Sequence, residues 1–157
     1  MATLRKSIED KLITDMTALK HDNNTDSCFA ITQALFVDFP TSLPACQVLP
    51  MSPSVEVSGL GYDSRVLGFD ILVYELIETN ADYTEAKRKL DRLMDIEDRI
   101  LNYLEKIPNN IEYVNGSHLY RLQVQPSSYS YESSENGLRV YLSIQLNCYI
   151  NIDVKSI

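Results

Sequence analysis

The most regular pattern of hydrophobic and polar residues lies near the C-terminus. From Leu138 to Val154 every even-numbered residue is apolar, while the odd-numbered residues are polar or tyrosine. A period of two is typical of a β-strand with one buried face. Seventeen residues at about 3.3 Å each would span about 55 Å, against a usual strand of about 5–6 residues. We therefore expect a strand that bends or that other copies cover, and we interpret it as a subunit edge.

Two segments show the spacing of helices. Residues 3–20 place apolar side chains three and four positions apart, which predicts an amphipathic helix. Asp82 is the expected N-cap of a second, longer helix, because Glu85 follows three residues later as in a capping box. Pro108 ends this helix.

The segments between the helices predict strands. Arg65–Ile77 is apolar on both faces, which indicates a central or doubly covered strand. Prolines frame a short strand at Ala45–Leu49. Residues 27–37 fit either a strand or a short helix, and Val55–Val57 is a possible further strand.

A long hairpin is predicted at the end of the chain. Its first strand is Leu119–Val124, and Asn136-Gly137 is a strong turn signal before the second. The serine- and tyrosine-rich segment Ser127–Glu135 is expected to be a loop between them. The inward-facing residues of the first strand are expected to be Tyr120, Leu122 and Val124.

This order of elements predicts an α+β fold. We expect a mixed or antiparallel sheet of about four strands, two helices packed on one face, and a long C-terminal β-hairpin. A length of 157 residues fits a single domain over residues 1–157. No apolar run approaches the ~20 residues that span a bilayer, and the N-terminus lacks the apolar stretch of a signal peptide. We therefore expect no membrane contact and assembly in a cytoplasm.

The net charge of −8 is concentrated in residues 27–82, which contain one base and seven acids. An acidic surface repels phosphate, so tight sequence-specific DNA binding is disfavoured. The alternative is a solvated face that keeps the chain soluble. The acids of this segment are Asp38, Glu56, Asp63, Asp70, Glu75, Glu78 and Asp82.

Residues suited to catalysis or metal binding do not cluster in the sequence. Cys28, Cys46 and Cys148 are widely spaced, so we interpret them as small buried side chains. His21 and His118 lie in polar segments expected to be loops, without nearby cysteines to complete a zinc site. We therefore expect no cofactor, no metal and no catalytic residue.

One enzyme alternative is a metal-dependent nuclease. Glu85-Ala86-Lys87 has the E-x-K form, and Asp70 lies upstream. That chemistry requires the acids and the lysine to converge at one place on a sheet. Because the triplet falls in the first turn of a helix, capping accounts for Glu85 and the nuclease is disfavoured.

The chain has ten tyrosines and no tryptophan, and several tyrosines lie in the C-terminal hairpin. Tyrosine is common in protein–protein contacts because it covers area and keeps a hydroxyl for hydrogen bonding. Ordinary cross-strand pairing also favours aromatic residues, and both interpretations stay open. The tyrosines concerned are Tyr129, Tyr131, Tyr141 and Tyr149, of which the last two lie on the polar face of the long strand.

The order and length of these elements resemble a known family. A proline-flanked short strand within Phe39–Pro50 follows an amphipathic helix, and the strand Arg65–Glu75 precedes a charged helix and the hairpin strand Arg139–Leu146. This arrangement is similar to the tail terminator (tail completion) proteins of long-tailed bacteriophages. The resemblance spans nearly the whole chain and includes no invariant motif.

The resemblance implies a hexameric ring in the virion tail or neck. Such a ring caps the tail tube, ends its polymerisation and joins the tail to the head–tail connector, while DNA passes through the lumen without specific binding. The other structural interpretation is a different neck, tube or baseplate adaptor of a phage, and a small α+β enzyme or ligand-binding domain is disfavoured. The candidate lumen acids are Asp38, Glu56, Asp63, Asp70, Glu75 and Glu78, and the candidate subunit-interface residues are Tyr129, Tyr131, Tyr141, Tyr149 and Arg139.

Overall fold

The structure is a computed structural model that describes residues 4–21, 25–34, 42–53, 64–108, 111–114 and 117–152. Within these residues the elements in chain order are α1 (Leu4–Thr17), β1 (Ile31–Gln33), β2 (Ala45–Met51), β3 (Ser64–Glu78), α2 (Tyr83–Glu105), β4 (Ile111–Val114), β5 (Ser117–Val124), β6 (Ser128–Ser134) and β7 (Gly137–Ile152). The possible strand at Val55–Val57 lies outside the described residues.

Seven strands of the described residues form one mixed sheet. Their order is β1-β2-β3-β7-β5-β4, and β6 lies beside β7. β1 and β2 are parallel, and the remaining pairs are antiparallel. Helix α1 contacts both β1 and β4, which are at opposite ends of this order, so the sheet curls around α1. The α+β prediction is confirmed, but the expected four strands are too few.

Both helices pack on one face of the sheet, which we call the helix face. It carries Leu142 and Ile144 of β7, whereas Tyr141 and Ser143 lie on the second face. The buried residues of the helices and of the helix face form a single core. The helix residues in this core are Ile8, Leu12, Met16, Leu93, Ile96, Ile100 and Leu104.

Strand β7 has the predicted alternation but not the predicted position. Every even-numbered residue from Val140 to Ile150 is at most 1% exposed, so the chain's own helices cover this face. β3 pairs with β7 along its whole length without a register shift. On the other side β6 pairs with residues 137–143 and β5 with residues 146–152. The interpretation of this strand as a subunit edge is therefore wrong, because both of its edges are paired within the chain.

The predicted loop at Ser127–Glu135 is also wrong, because most of it forms β6. Only Glu135 and Asn136 separate Ser134 from its register partner Gly137, which makes a tight hairpin. Gly137 has a φ of 140°, and a Cβ there would lie 2.1 Å from the carbonyl oxygen of Ile77. Only glycine fits this position, which explains the turn signal in the sequence.

A bulge in β5 changes the predicted inward residues. The register places Leu119 opposite Ile150 and then Arg121 opposite Tyr149, so one extra residue enters the strand. Leu119 is consequently buried on the helix face, and regular alternation through Tyr120 does not hold. Leu122 and Val124 pack against the core as predicted.

Two local predictions are confirmed, the N-cap of α2 and the burial of the cysteines. Asp82 caps α2, with its carboxylate accepting the backbone N–H of Glu85 at 2.8 Å. The carboxylate of Glu85 itself binds Arg88, at 2.6 Å between Oε1 and Nη2. The three cysteines are buried and unbonded to each other. The ambiguous segment 27–37 contains the strand β1.

Candidate subunit interface

Glu97 of α2 ties the start of β6 to the helix. Its Oε2 accepts the hydroxyl of Ser127, and its Oε1 accepts the hydroxyl of Tyr129 at 3.1 Å. Burial, together with the negative charge of Glu97, raises the pKa of Tyr129 above its ordinary value, so this hydroxyl remains a donor. We call these three residues the Glu97 clamp. Tyr129 therefore has a partner within the subunit, on the helix face opposite Leu142.

Tyr131 lies two residues further along β6 and is the most exposed of the four tyrosine candidates. It is 57% exposed, opposite Val140 in the register. Met94, one helical turn before Glu97 on α2, is 44% exposed. Tyr131 on β6 and Met94 on α2 are thus two large apolar side chains exposed on elements that the Glu97 clamp connects. Such residues are common at protein interfaces.

Tyr141 and Tyr149 lie on the second face and contact neighbouring strands. The ring of Tyr141 meets its cross-strand neighbour Tyr74 edge-on, with 5.0 Å between centroids. The hydroxyl of Tyr149 donates to Oε1 of Gln123 at 3.0 Å, and the guanidinium of Arg121 lies 5.3 Å from the ring centroid. These contacts are the cross-strand pairing that the sequence left open as an alternative.

Arg139 occupies the same face near the hairpin turn. Its cross-strand neighbours are Leu76 on β3 and Glu132 on β6, and it is half-buried. Opposite charges at directly paired positions stabilise a hairpin modestly. Arg139 therefore lies beside the strand that carries the exposed Tyr131.

The acidic candidates have different surroundings. Asp70 is half-buried on the second face and accepts the hydroxyl of Ser143 at 2.7 Å. Burial raises the pKa of Asp70, and the Ser143 hydrogen bond partly opposes this. Glu78 is exposed at the end of β3. Asp38, Glu56 and Asp63 lie outside the described residues.

Glu75 is not on the surface of the subunit. Its side chain is 2% exposed and forms an ion pair with Arg92 of α2. Its Oε1 also accepts the backbone N–H of Leu76 at 3.0 Å. The alternation of β3 puts Glu75 on the helix face, opposite Val140. This burial removes Glu75 from the candidate lumen residues.

The three residues of the nuclease alternative, Asp70, Glu85 and Lys87, do not converge in the structure. Glu85 binds Arg88, and Lys87 binds Asp91 at 2.6 Å on the outside of α2. Asp70 lies on the second face of the sheet, away from the helices. The sheet therefore separates the acid from the E-x-K triplet.

The two histidines have separate surroundings, and neither belongs to a group of metal ligands among the described residues. His21 Nδ1 lies 3.2 Å from Oδ2 of Asp95. His118 lies in β5 and is exposed, so its predicted position in a loop is wrong. Within the described ranges, no three His, Cys, Asp or Glu side chains are grouped to hold a metal ion.

Sequence reasoning missed the exposed edge of β6. Among the described residues β6 pairs with β7 alone, so its other edge faces away from the sheet. The signal was the alternation of serine with tyrosine over residues 128–131. The two-residue period was present there, but the tyrosine face is only weakly apolar and contrasts little with the serine face.

No protein-family model matches this chain. No curated protein sequence matches it significantly. Within the part of the chain that the structure covers, neither helix has the length and apolar character needed to cross a bilayer.

Proposed function

We propose that this chain is a structural virion protein whose copies form a ring at the end of a phage tail tube. The ring is a hexamer that ends tube polymerisation and joins the tail to the head–tail connector. The observation that carries the proposal is the edge of β6 that no described strand covers, with the exposed Tyr131 on that strand and the exposed Met94 on the helix that Glu97 connects to it. The order of elements supplies the family resemblance.

The charge of the chain fits a lumen that carries DNA. Each copy has a net charge of −8, so a ring of copies repels the phosphate backbone and lets it slide without tight binding. Asp70 and Glu78 are the described candidates for the lumen wall. Asp38, Glu56 and Asp63 remain candidates from the sequence alone.

The proposed partners are a tail tube protein, a connector protein and further copies of this chain. The protein assembles in the host cytoplasm and resides in the virion neck. The proposal includes no membrane contact, no catalytic activity, no cofactor and no metal.

Tube assembly in the presence of the chain tests this function. The full chain is added to the polymerising tail tube protein of the same phage, and tube lengths are measured by negative-stain electron microscopy. A terminator holds tubes at a limited length and is visible as a ring at one tip. Tubes that grow equally long with and without the chain would contradict the proposal, and binding elsewhere would support a different neck or baseplate adaptor.

Tyr131→Asp is the matched variant for the interface. Tyr131 is largely exposed, so the subunit should keep its fold while ring formation weakens. Tyr131→Phe keeps the aromatic side chain, so the ring of subunits should still form, and this variant serves as the control. Tyr141 is a poorer test, because a charge there would lie against the buried ring of Tyr74.

A further inference from the structure

The backbone groups of β6 face in two directions. Ser134 and Gly137 are register partners separated by two residues, so they exchange both backbone hydrogen bonds. Bonded and non-bonded pairs alternate along an antiparallel ladder. The N–H and C=O groups of Tyr129, Tyr131 and Ser133 therefore point away from β7, towards the unpaired edge.

A neighbouring contact supports this assignment. The backbone N–H of Gln125 donates to the carbonyl oxygen of Gln145 at 2.8 Å. Odd-numbered residues of β7 thus bond on the side where β5 and β6 lie. The partners of these odd residues on β6 are the even-numbered ones, because the register sum is constant from Ser128 to Ser134.

The edge of β6 lacks the usual protection against another strand. It contains no proline, no lysine and no bulge over its seven residues, and Glu132 is its only charged residue. Exposed edges with free backbone groups are templates for strand addition, and proteins normally block them with such features. The Glu97 clamp holds the start of this strand on α2, which lowers the entropy cost of pairing.

We propose that this edge of β6 is the site where a strand of a second copy adds to the sheet, which rests on the proposed ring. The entering strand is β1, which lies three strands from β7, beyond β3 and β2. Among the described residues β1 pairs only with β2, so no described strand lies along its second edge. Joining β6 of one copy to β1 of the next is a head-to-tail contact, and such contacts build a ring when the rotation between copies closes.

The low charge of these two strands allows two copies of this acidic chain to meet there. Copies of net charge −8 repel one another, so contact is least costly where few charges meet. Ile31, Thr32 and Gln33 of β1 are uncharged, and β6 has only Glu132. Both strands thus avoid placing acids opposite acids.

A proline at a β6 position whose N–H points to the unpaired edge tests strand addition most specifically. Tyr131→Pro removes an N–H that points to the edge and keeps every bond to β7, so the subunit folds. Tyr131→Thr is the control, because it removes the aromatic side chain and keeps the backbone N–H. By sedimentation velocity of the full chain, we expect Tyr131→Pro to raise the dissociation constant of assembly at least tenfold above that of Tyr131→Thr. Equal dissociation constants for the two variants would overturn the inference.

Hydrogen exchange on the wild type tests the same site without a substitution. The amides of Tyr129, Tyr131 and Ser133 should exchange rapidly in the monomer and become at least tenfold slower in the assembly. Unchanged exchange at these three amides in an assembled ring would refute strand addition. If Tyr131→Pro does not fold, Ser133→Pro against Ser133→Thr replaces it.

The outcomes separate this inference from the proposed function. Rings that form and cap tubes with the β6 amides still exposed would leave the function intact and eliminate this contact. A chain that stays monomeric, alone and with tubes, would contradict both. A species that stops at two copies would indicate pairing of β6 with β6, and would overturn the head-to-tail arrangement.

Discussion

Removing the carboxylate of Glu97 should loosen β6 from α2. Glu97→Ala leaves the hydroxyls of Ser127 and Tyr129 without their acceptor. A hydrogen bond to a charged group contributes about 1.5–3 kcal/mol. Both bonds are only part-buried, and alanine is the better helix former, so we expect a net loss of about 2 kcal/mol in the free energy of unfolding.

Urea unfolding of the full chain measures this loss. Asp98→Ala is the matched control, because Asp98 is the next residue on α2 and is exposed. Its cost should be below about 0.5 kcal/mol, as for surface substitutions in general. A loss for Glu97→Ala that equals the loss for Asp98→Ala would refute the clamp.

A double-mutant cycle isolates the hydroxyl contact. Tyr129→Phe removes one donor and keeps the ring, and its coupling to Glu97→Ala should be about 1 kcal/mol. Additive effects of the two substitutions would mean that Tyr129 and Glu97 do not interact in solution. The clamp also predicts faster amide exchange along β6 in Glu97→Ala, at ladder positions bonded to β7.

Three further predictions concern the subunit itself. Arg92→Met leaves the carboxylate of Glu75, which is 2% exposed, buried without its cation, and urea unfolding should show a loss of roughly 2–3 kcal/mol. Glu75→Gln should cost less, because the guanidinium of Arg92 is 29% exposed and can reach water. Equal losses for the two variants would contradict this asymmetry. Gly137→Ala meets both a φ of 140° and the carbonyl of Ile77, so thermal unfolding should show a loss of at least about 2 kcal/mol, and an unchanged midpoint would refute the turn geometry. Burial raises the folded-state pKa of Asp70, so ionisation of this carboxyl opposes folding. The free energy of unfolding of the wild type should therefore fall relative to that of Asp70→Asn as the pH rises from 3 to 7. A difference between the two that stays constant with pH would be inconsistent with this burial.

The sequence predicted the elements whose pattern is strong over many residues. Strand β7 alternates for sixteen residues and β3 is apolar on both faces, while α2 carries an apolar stripe and an N-cap. The failure at β6 has a physical cause, because serine and tyrosine give little contrast in hydropathy between its faces. The interpretation of β7 as a subunit edge rested on its length, which the chain itself covers with β3 on one side and with β5 and β6 on the other.

The candidate site depended on tertiary contacts that a sequence pattern does not contain. Tyr129 and Tyr131 are two residues apart on the same strand, yet one binds Glu97 and the other faces solvent. Glu75 and Glu78 are the same residue type on one strand, but alternation and the position of Arg92 bury the first. Charge counts identified the acidic segment and could not rank its members.

Electron cryomicroscopy of tail tubes assembled with the full chain shows whether the ring and its β6–β1 contact form. We expect a ring of six copies at one tip of the tube, in which β6 of each copy lies beside β1 of the next. A tip without the chain, or a ring in which the β6 edge faces solvent, would contradict it.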